Sequence, residues 1–377
     1  MLKYYLWILQ FMGVANPRSI KLLRHFGSAH NAYNGVMGSN LHFLKDGEKK
    51  AYKSATLEKS EEIIKRTEEY GYRIVTFDDE SYPGQLKNIY NPPLCIFVRG
   101  DIKSLSEKLC IAVIGTREPS EYSYKVVEDI CAGLSRSGIL VISGMAVGLD
   151  KAAHTSALEN GGHTAGILAC GFDVDYPSKS KAFREEIVKR GGVLITEQLP
   201  GARAEGWYFQ KRNRILSGLS NGVLIIEADE QSGCMLTANH AIDQDRDLFC
   251  IPPANIFDKR YSGVIPYLRD GAIPVFGYKD ILNNYYMKEK PAALTGFKST
   301  RRESERPAHD TYSERFDIKA NLTENQKIVY NLLKNGARTA DFLIENSGLK
   351  TDALNEAILE LEIDGIIKNA GCTVNLI

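Results

Sequence analysis

Two consecutive strand–loop–helix units limit the possible folds of this chain more than any other feature. The first unit runs from Leu109 to Gly138, and the second begins at Ile139. In each unit a short apolar run of β-forming residues leads into a glycine-containing loop, and an amphipathic helical pattern follows. Because a strand, a crossover helix and a second strand form parallel neighbours, the pattern predicts a parallel sheet covered by helices.

The loops of these two units are candidate ligand-binding segments. They read Gly115-Thr116-Arg117 and Gly144-Met145-Ala146-Val147-Gly148. Both loops are expected at the carboxyl ends of adjacent strands, where open α/β sheets bind ligands. Glycines permit close approach of the backbone, helix N-termini offer free N–H groups, and Arg117 adds a guanidinium group. The alternative is that the glycines only form tight turns, but Arg117 favours a phosphate-type ligand.

The strand and helix patterns divide the 377-residue chain into four segments. Residues 1–70 are predicted to be helical, and residues 71–287 continue the strand–helix alternation as one doubly wound, mostly parallel sheet. Residues 288–318 are charged, poor in aliphatic residues and contain two prolines, which is typical of a mobile linker. Residues 319–377 form a last small domain.

The helical leader has a helix, glycine turn, helix, glycine turn pattern between Leu9 and Ala32. This pattern is found in helix-hairpin-helix and sterile-alpha-motif-like units. Such units contact DNA backbones through turn amides or pair with proteins, and the sequence leaves both roles open beside simple packing.

The last segment is predicted to be winged-helix-like, with three helices followed by a hairpin-like tail from Ile366. Thr323 is a suitable cap for the first helix. The third helix carries Lys350 together with several acidic residues, whereas a DNA-reading helix should present a basic face. The pattern therefore favours a protein-contact module over a DNA reader.

Composition restricts the partners of the chain. With 47 basic and 47 acidic residues the formal net charge is zero, so a nucleic-acid site must be a local patch. No apolar run approaches the roughly 20 residues of a membrane span, so no membrane partner is expected. The seven cysteines are scattered without a CxxC motif, which favours reduced thiols and a cytosolic location.

A basic run preceded by aromatic residues marks a second candidate site. Lys211-Arg212-Asn213-Arg214 is predicted to open a helix, and Trp207, Tyr208 and Phe209 come directly before it. Cations next to aromatic rings bind single strands, because the cations meet phosphates and bases stack on the rings. The alternative is that the run only faces water. Lys179 and Lys181 follow another strand, where they either extend the basic track or only begin a solvated helix.

Evidence for catalysis is weak. Acid–base candidates lie near predicted strand ends or helix starts, and a lone histidine such as His154 is more often structural; the candidates are Asp150, His154, Glu197, Glu227 and His240. The chain has no GxSxG, HExxH, GxxxxGK[ST] or GxGxxG motif and no metal-ligand cluster. Ser232 is expected to cap the helix that follows it, with donation to a phosphate as the alternative. We therefore expect no enzyme activity, no cofactor and no metal.

Several blocks in order and at matching spacing resemble the DNA-processing protein A family, also called Smf. They are Gly115-Thr116-Arg117, SGMAVGLDKAAH from Ser143, Tyr176-Pro177, FQKRNRILSGLS from Phe209, EADEQSGCMLTA from Glu227, and Asp270-Gly271-Ala272. The resemblance spans about residues 71 to 285. It implies a Rossmann-like central domain between the helical leader and the winged-helix tail.

The resemblance implies a cytosolic bacterial protein of natural transformation. Such proteins bind incoming single-stranded DNA without sequence preference, protect it from nucleases, help to load the RecA recombinase and form homodimers through the Rossmann-like domain. The implied DNA-binding residues here are Gly115, Thr116, Arg117, Ser143, Gly144, Met145, Gly148, Lys179, Lys181, Phe209, Lys211, Arg212, Asn213 and Arg214.

One enzyme class remains as an alternative. Rossmann-like nucleotide phosphoribohydrolases also use glycine loops and an arginine, but they have a PGGxGT pattern and a catalytic glutamate. The comparable block here reads EADEQSG, from Glu227.

Overall fold

The computed structural model describes residues 1–36, 44–289, 322–334, 338–363, 367–370 and 373–376. The chain forms two compact units, Met1–Thr295 and Gly296–Ile377. Most of the predicted linker, residues 290–318, lies outside the described residues.

The first unit begins with a helical leader, as the sequence predicts. Its helices are α1 (Leu2–Met12), α2 (Arg18–Phe26), α3 (Ala29–Val36), α4 (Asp46–Tyr52) and α5 (Leu57–Glu69). Gly13 ends α1 and Gly27 ends α2, both with positive φ, which glycine adopts without steric cost. The likeness to helix-hairpin-helix or sterile-alpha-motif units stays a prediction.

A nine-stranded sheet follows the leader. Its strands are β1 (Arg73–Thr76), β2 (Cys95–Gly100), β3 (Cys110–Ile114), β4 (Leu140–Ser143), β5 (Thr164–Ile167), β6 (Val193–Thr196), β7 (Gly222–Ile225), β8 (Asp247–Cys250) and β9 (Ile273–Pro274).

The strand order is β1-β2-β6-β5-β4-β3-β7-β8-β9. The strands from β3 to β9 pair in parallel, whereas β2 pairs antiparallel with both β1 and β6. From β3 the chain first builds towards β6 and then crosses back to add β7 on the other side. The sheet is therefore doubly wound and mostly parallel, as predicted, and its direction changes between β3 and β7.

Helices cover both faces of the sheet. They are α6 (Gly84–Lys87), α7 (Ser104–Glu107), α8 (Glu121–Arg136), α9 (Leu149–Glu159), α10 (Lys181–Lys189), α11 (Gly206–Gly218), α12 (Cys234–Asp243), a 3₁₀ turn (Lys259–Tyr261), α13 (Val264–Arg269) and α14 (Tyr278–Glu289).

Strand alternation sorts the core residues between the faces. In β3, Ile111 and Val113 pack with residues of α8, α9 and α14, whereas Ala112 and Ile114 pack with residues of α11 and α12. In β2, Phe97 faces the leader and belongs to the same buried cluster as Leu6 of α1. The leader and the sheet therefore share a hydrophobic core.

The second unit contains α15 (Glu324–Leu333), β10 (Arg338–Thr339), α16 (Ala340–Ser347), α17 (Thr351–Ile363), β11 (Ile367–Ala370) and β12 (Thr373–Leu376). Thr323 caps α15, and its hydroxyl accepts from the Gln326 amide at 3.3 Å. The three strands form an antiparallel sheet in the order β10-β12-β11. Three helices and a wing were predicted, but β10 was missed because its two residues carry no strand pattern.

One predicted helix boundary is wrong. The sequence predicts that the basic run from Lys211 to Arg214 opens a helix, but α11 begins at Gly206 and the basic run lies in its middle. The cluster of Trp207, Tyr208 and Phe209 was interpreted as a loop before the helix. It instead forms the first turn, because aromatic residues are tolerated in helices when tertiary contacts hold them.

Among the described residues, no helix combines the length and the apolar character needed to cross a bilayer.

His154 gives the fold a testable acid response. Its ring is fully buried in α9, with Nδ1 2.6 Å from the Thr164 hydroxyl, and burial lowers its pKa from 6.5 to about 3, with Arg212 adding to the effect. The folded state therefore binds fewer protons than the unfolded state between these two values. The stability contribution is complete above pH 6.5 and is lost as the pH falls towards 3.

We expect wild type to lose about 2 kcal/mol more unfolding free energy than His154→Gln between about pH 7 and about pH 5. Denaturant titrations at both pH values measure the difference. Equal losses in the two proteins would show that His154 does not stay neutral in the fold.

Candidate functional site

A pocket of about 450 Å³ opens at the carboxyl ends of the strands, between β3 and β7. This is the point where the sheet changes direction, which is where doubly wound sheets bind ligands. We call it the crest pocket. Its lining comprises Ile114, Gly115, Thr116, Arg117, Glu118, Ala146, Asp150, Phe209, Arg212, Asn213, Leu216, Ser232, Gly233, Cys234 and Thr237.

The Arg117 guanidinium is the exposed cation of the crest pocket. Its central carbon lies 5.4 Å from the centroid of the Phe209 ring, and the residue is exposed to solvent. Arg117 forms no ion pair with any described residue. An exposed guanidinium beside an aromatic ring offers both a charge for a phosphate and an apolar face for a base.

Arg212 is the buried cation of the pocket. Its Nη1 donates to the carbonyl oxygens of Gly144, at 2.6 Å, and of Ile167. Burial lowers the pKa of Arg212 to about 10, so it keeps its proton at neutral pH. The guanidinium thereby links α11 to the ends of β4 and β5 and adds a buried positive charge to the pocket lining.

Asp150 shapes the glycine loop after β4. Its carboxylate accepts from the amides of Gly144, at 3.1 Å, and Ala146, at 3.2 Å. Burial raises the pKa of Asp150, while Arg212 and these two amides oppose that rise. The carboxylate is therefore committed to its own loop, which makes it a poor candidate for a catalytic base.

Gly148 lets the loops after β3 and β4 come into contact. Its φ is +78°, and a Cβ built at this position would lie 2.5–2.7 Å from the backbone of Arg117. Leu149 continues the contact, because its amide donates to the Thr116 carbonyl at 3.2 Å. The position of Arg117 thus depends on the absence of a side chain at residue 148.

The structure separates the basic run of α11. Arg212 and Asn213 line the crest pocket with Phe209, and Asn213 also donates to the Gly233 carbonyl at 3.1 Å. Arg214 is buried and forms an ion pair with Glu197, with 2.6 Å between nitrogen and oxygen. Lys211 points to another groove. Successive helical positions are about 100° apart, so the four residues cannot share one face.

The other predicted residues lie around the crest pocket or beneath it. Ser143 is fully buried, and its hydroxyl donates to the Val113 carbonyl at 2.7 Å, which joins β3 to β4. Met145 and Lys179 line a neighbouring pocket of about 100 Å³, and both have positive φ. Lys181 is exposed at the start of α10.

Glu227, the comparable glutamate of the enzyme alternative, is fully buried outside the pocket lining. It accepts from the amide of Ser120 at 3.1 Å and from the Ser120 hydroxyl. Glu227 therefore holds the start of α8 in place.

The loop after β7 was underestimated from the sequence. Ser232, Gly233, Cys234 and Thr237 form one wall of the crest pocket. The sequence assigned Ser232 a capping role; Gly233 occupies the N-cap position of α12, and the Ser232 hydroxyl accepts from the amide of Cys234, the first residue of the helix, at 3.5 Å. The missing signal is the strand order, because only the pairing of β3 with β7 brings this loop beside Arg117.

A doubly wound sheet with a glycine- and arginine-lined pocket at its switch point defines a Rossmann-like α/β protein. The model of DNA recombination-mediator protein A matches residues 73–286, and the model of the DprA winged helix domain matches residues 317–370. The chain belongs to the DprA/Smf family.

Three relatives illustrate this similarity. DNA processing protein DprA of Bacillus subtilis is 33% identical over 219 residues, which cover 58% of this chain and 73% of the relative. The crystal structure of DprA from Streptococcus pneumoniae matches with a TM-score of 0.65 at 28% identity, over 75% of this chain and 97% of that one. A structure describing the single-stranded DNA binding mode of Helicobacter pylori DNA processing protein A matches with a TM-score of 0.52 at 28% identity, over 58% and 96%.

The contact between Gly148 and Arg117 is testable with a matched pair of variants. Gly148 and Gly161 flank α9 with φ of +78° and +73°, but a Cβ at Gly161 meets nothing within 4 Å. We expect Gly161→Ala to lower the unfolding free energy by about 1 kcal/mol and Gly148→Ala by about 3 kcal/mol, since only the second displaces a neighbouring backbone. Urea denaturation measures both, and equal losses would contradict the contact.

Proposed function

We propose that this protein binds single-stranded DNA in the crest pocket, without sequence preference and without chemical change to the strand. The observation that carries the proposal is the exposed guanidinium of Arg117 above the Phe209 ring at the switch point of the sheet. Single-strand binding without sequence preference requires cations for the phosphates and rings for stacking. The pocket supplies both, and family membership supports the same function.

The glycine loops support the proposal on the backbone side. Gly115 and Gly148 allow the loops after β3 and β4 to approach each other closely, which leaves room for a phosphate above them. Behind these loops lie the N-termini of α8 and α9, whose partial positive charge favours an anion.

The remaining expectations rest on family membership alone. We propose that the protein acts in natural transformation, protects incoming single strands, assists loading of the RecA recombinase and forms a homodimer through its Rossmann-like domain. A cytosolic location is supported by the six cysteines of the described residues, which are free thiols. We further propose that the winged-helix unit contacts protein rather than DNA.

Arg117→Ala tests the DNA-binding proposal. We expect it to weaken binding of labelled oligothymidine by about tenfold or more, because a charge-assisted contact contributes about 1.5–3 kcal/mol. The slope of log affinity against log salt should fall by about 0.7, the amount for one phosphate on a single strand. Fluorescence anisotropy over a salt series measures both quantities.

Arg136→Ala is the matched control. Arg136 is exposed at the C-terminal end of α8, the end far from the crest pocket, and its guanidinium donates to the Asn160 side-chain oxygen at 2.6 Å. It removes the same charge and should change affinity by less than about twofold. Binding of Arg117→Ala that equals the Arg136→Ala value would overturn the assignment of the pocket.

The phosphoribohydrolase alternative has its own test. Of the carboxylates in the pocket lining, Asp150 is bound to backbone amides and Glu118 is exposed. We therefore expect no free base when the protein is incubated with each nucleoside monophosphate and the products are separated by chromatography. Enzymatic release of base that is lost in Glu118→Gln would establish the alternative.

A further inference from the structure

A second cationic groove lies between the helical leader and α11. We call it the leader groove. It has a volume of about 400 Å³ and is lined by Met12, Val14, Ala15, Asn16, Pro17, Arg18, Lys45 and Lys211. This lining includes three cationic residues and, within the described part of the chain, no carboxylate.

The leader wall of this groove is held in place. Asn91 lies in the loop between α6 and β2, and its side-chain amide donates to the Ala15 carbonyl at 2.8 Å. Asn16 donates to the Met12 carbonyl at 2.7 Å and to Glu48 at 2.8 Å. The segment between α1 and α2 is therefore a fixed surface against the sheet, so a ligand would not have to order it.

The charges of the groove are unequal. Arg18 forms an ion pair with Glu48, which compensates its charge. Lys211 forms no ion pair with any described residue, and Lys45 is exposed at the start of α4. The groove consequently presents a net positive charge, carried by Lys45 and Lys211, to an anionic ligand.

Two adjacent aromatic rings lie beside Lys211. Trp207 is 44% exposed, its ring centroid lies 3.7 Å from that of Tyr208, and the Lys211 ammonium lies 4.3 Å from the Trp207 centroid. Trp207 and Lys211 are one helical turn apart, so they share one face of α11. Exposed rings next to cations are the features that bind bases and phosphates of a single strand.

Helix α11 therefore separates two sites. Phe209, Arg212 and Asn213 line the crest pocket, whereas Lys211 lines the leader groove and Trp207 lies beside it. We propose that a single DNA strand leaving the crest pocket crosses α11 over Trp207 and continues in the leader groove, with phosphates at Lys211 and Lys45. This inference rests on the proposed function, and it makes the leader part of the DNA-binding surface.

Oligomer length separates the two sites experimentally. An oligothymidine of about 6 nucleotides should occupy the crest pocket alone, and one of about 20 should reach both sites. We expect Lys45→Glu to leave affinity for the short oligomer within about twofold and to weaken binding of the long one by about tenfold. For the long oligomer the salt slope should fall by about 0.7, the value for one phosphate.

Lys50→Glu is the matched control, because Lys50 is an exposed lysine of α4, the helix that Lys45 precedes, and lies outside the groove lining. It makes the same change of charge and should bind both oligomers as wild type does. Trp207→Ala is a second variant that does not depend on charge, and it should weaken binding of the long oligomer by about fivefold or more, since one stacked base is lost.

The possible outcomes are distinct. If Lys45→Glu and Trp207→Ala bind the long oligomer as Lys50→Glu does, the leader groove is not on the DNA path, and retention of the short oligomer leaves the crest pocket intact. If wild type binds neither oligomer, the proposed function and the leader path both fail.

Discussion

The buried guanidinium of Arg212 is the interaction on which the architecture of the site depends. It joins α11 to the carbonyl groups of Gly144 and Ile167, at the ends of two parallel strands. Because carbonyl oxygens at strand ends have no further strand partner, a buried donor there satisfies groups that would otherwise be costly to bury. Phe209 lies three residues before Arg212 on the same side of α11, and its ring centroid is 5.9 Å from the Arg212 guanidinium carbon, so the same bond helps to place Phe209 beside Arg117. The contact therefore joins α11 to the strand ends beside the crest pocket.

The sheet topology explains why cations and glycines meet at one place. The chain leaves β3 in one direction and β7 in the other, so a crevice opens between the loops that follow them. Glycine at residue 148 lets the loop after β4 close the side of this crevice against the Arg117 backbone. The leader packs against the half of the sheet that contains β2 and β6. It contributes the basic residues of the leader groove, on the side of α11 away from the crest pocket. Residues of α11 thus line both the crest pocket and the leader groove.

The sequence alone was sufficient for the α/β class and the glycine loops, because strand periodicity and loop chemistry are local signals. It did not predict that Arg117 lies beside the Phe209 ring, since the two residues are far apart in the chain. It was insufficient for the role of each residue in the basic run. The sequence suggests that Arg214 is a surface cation, but the structure shows it buried in an ion pair with Glu197, which follows the distant strand β6. The loop containing Ser232 and the groove containing Lys45 depend on contacts between segments far apart in the chain, which periodicity does not reveal. The DNA-binding assignments of the individual residues remain predictions.

The most direct measurement of the central claim is a crystal structure of the protein with a thymidine oligomer. The account predicts a backbone phosphate within hydrogen-bonding distance of the Arg117 guanidinium and a base or sugar against the Phe209 ring. A strand that crosses another face of the sheet and leaves Arg117 without contact would contradict it.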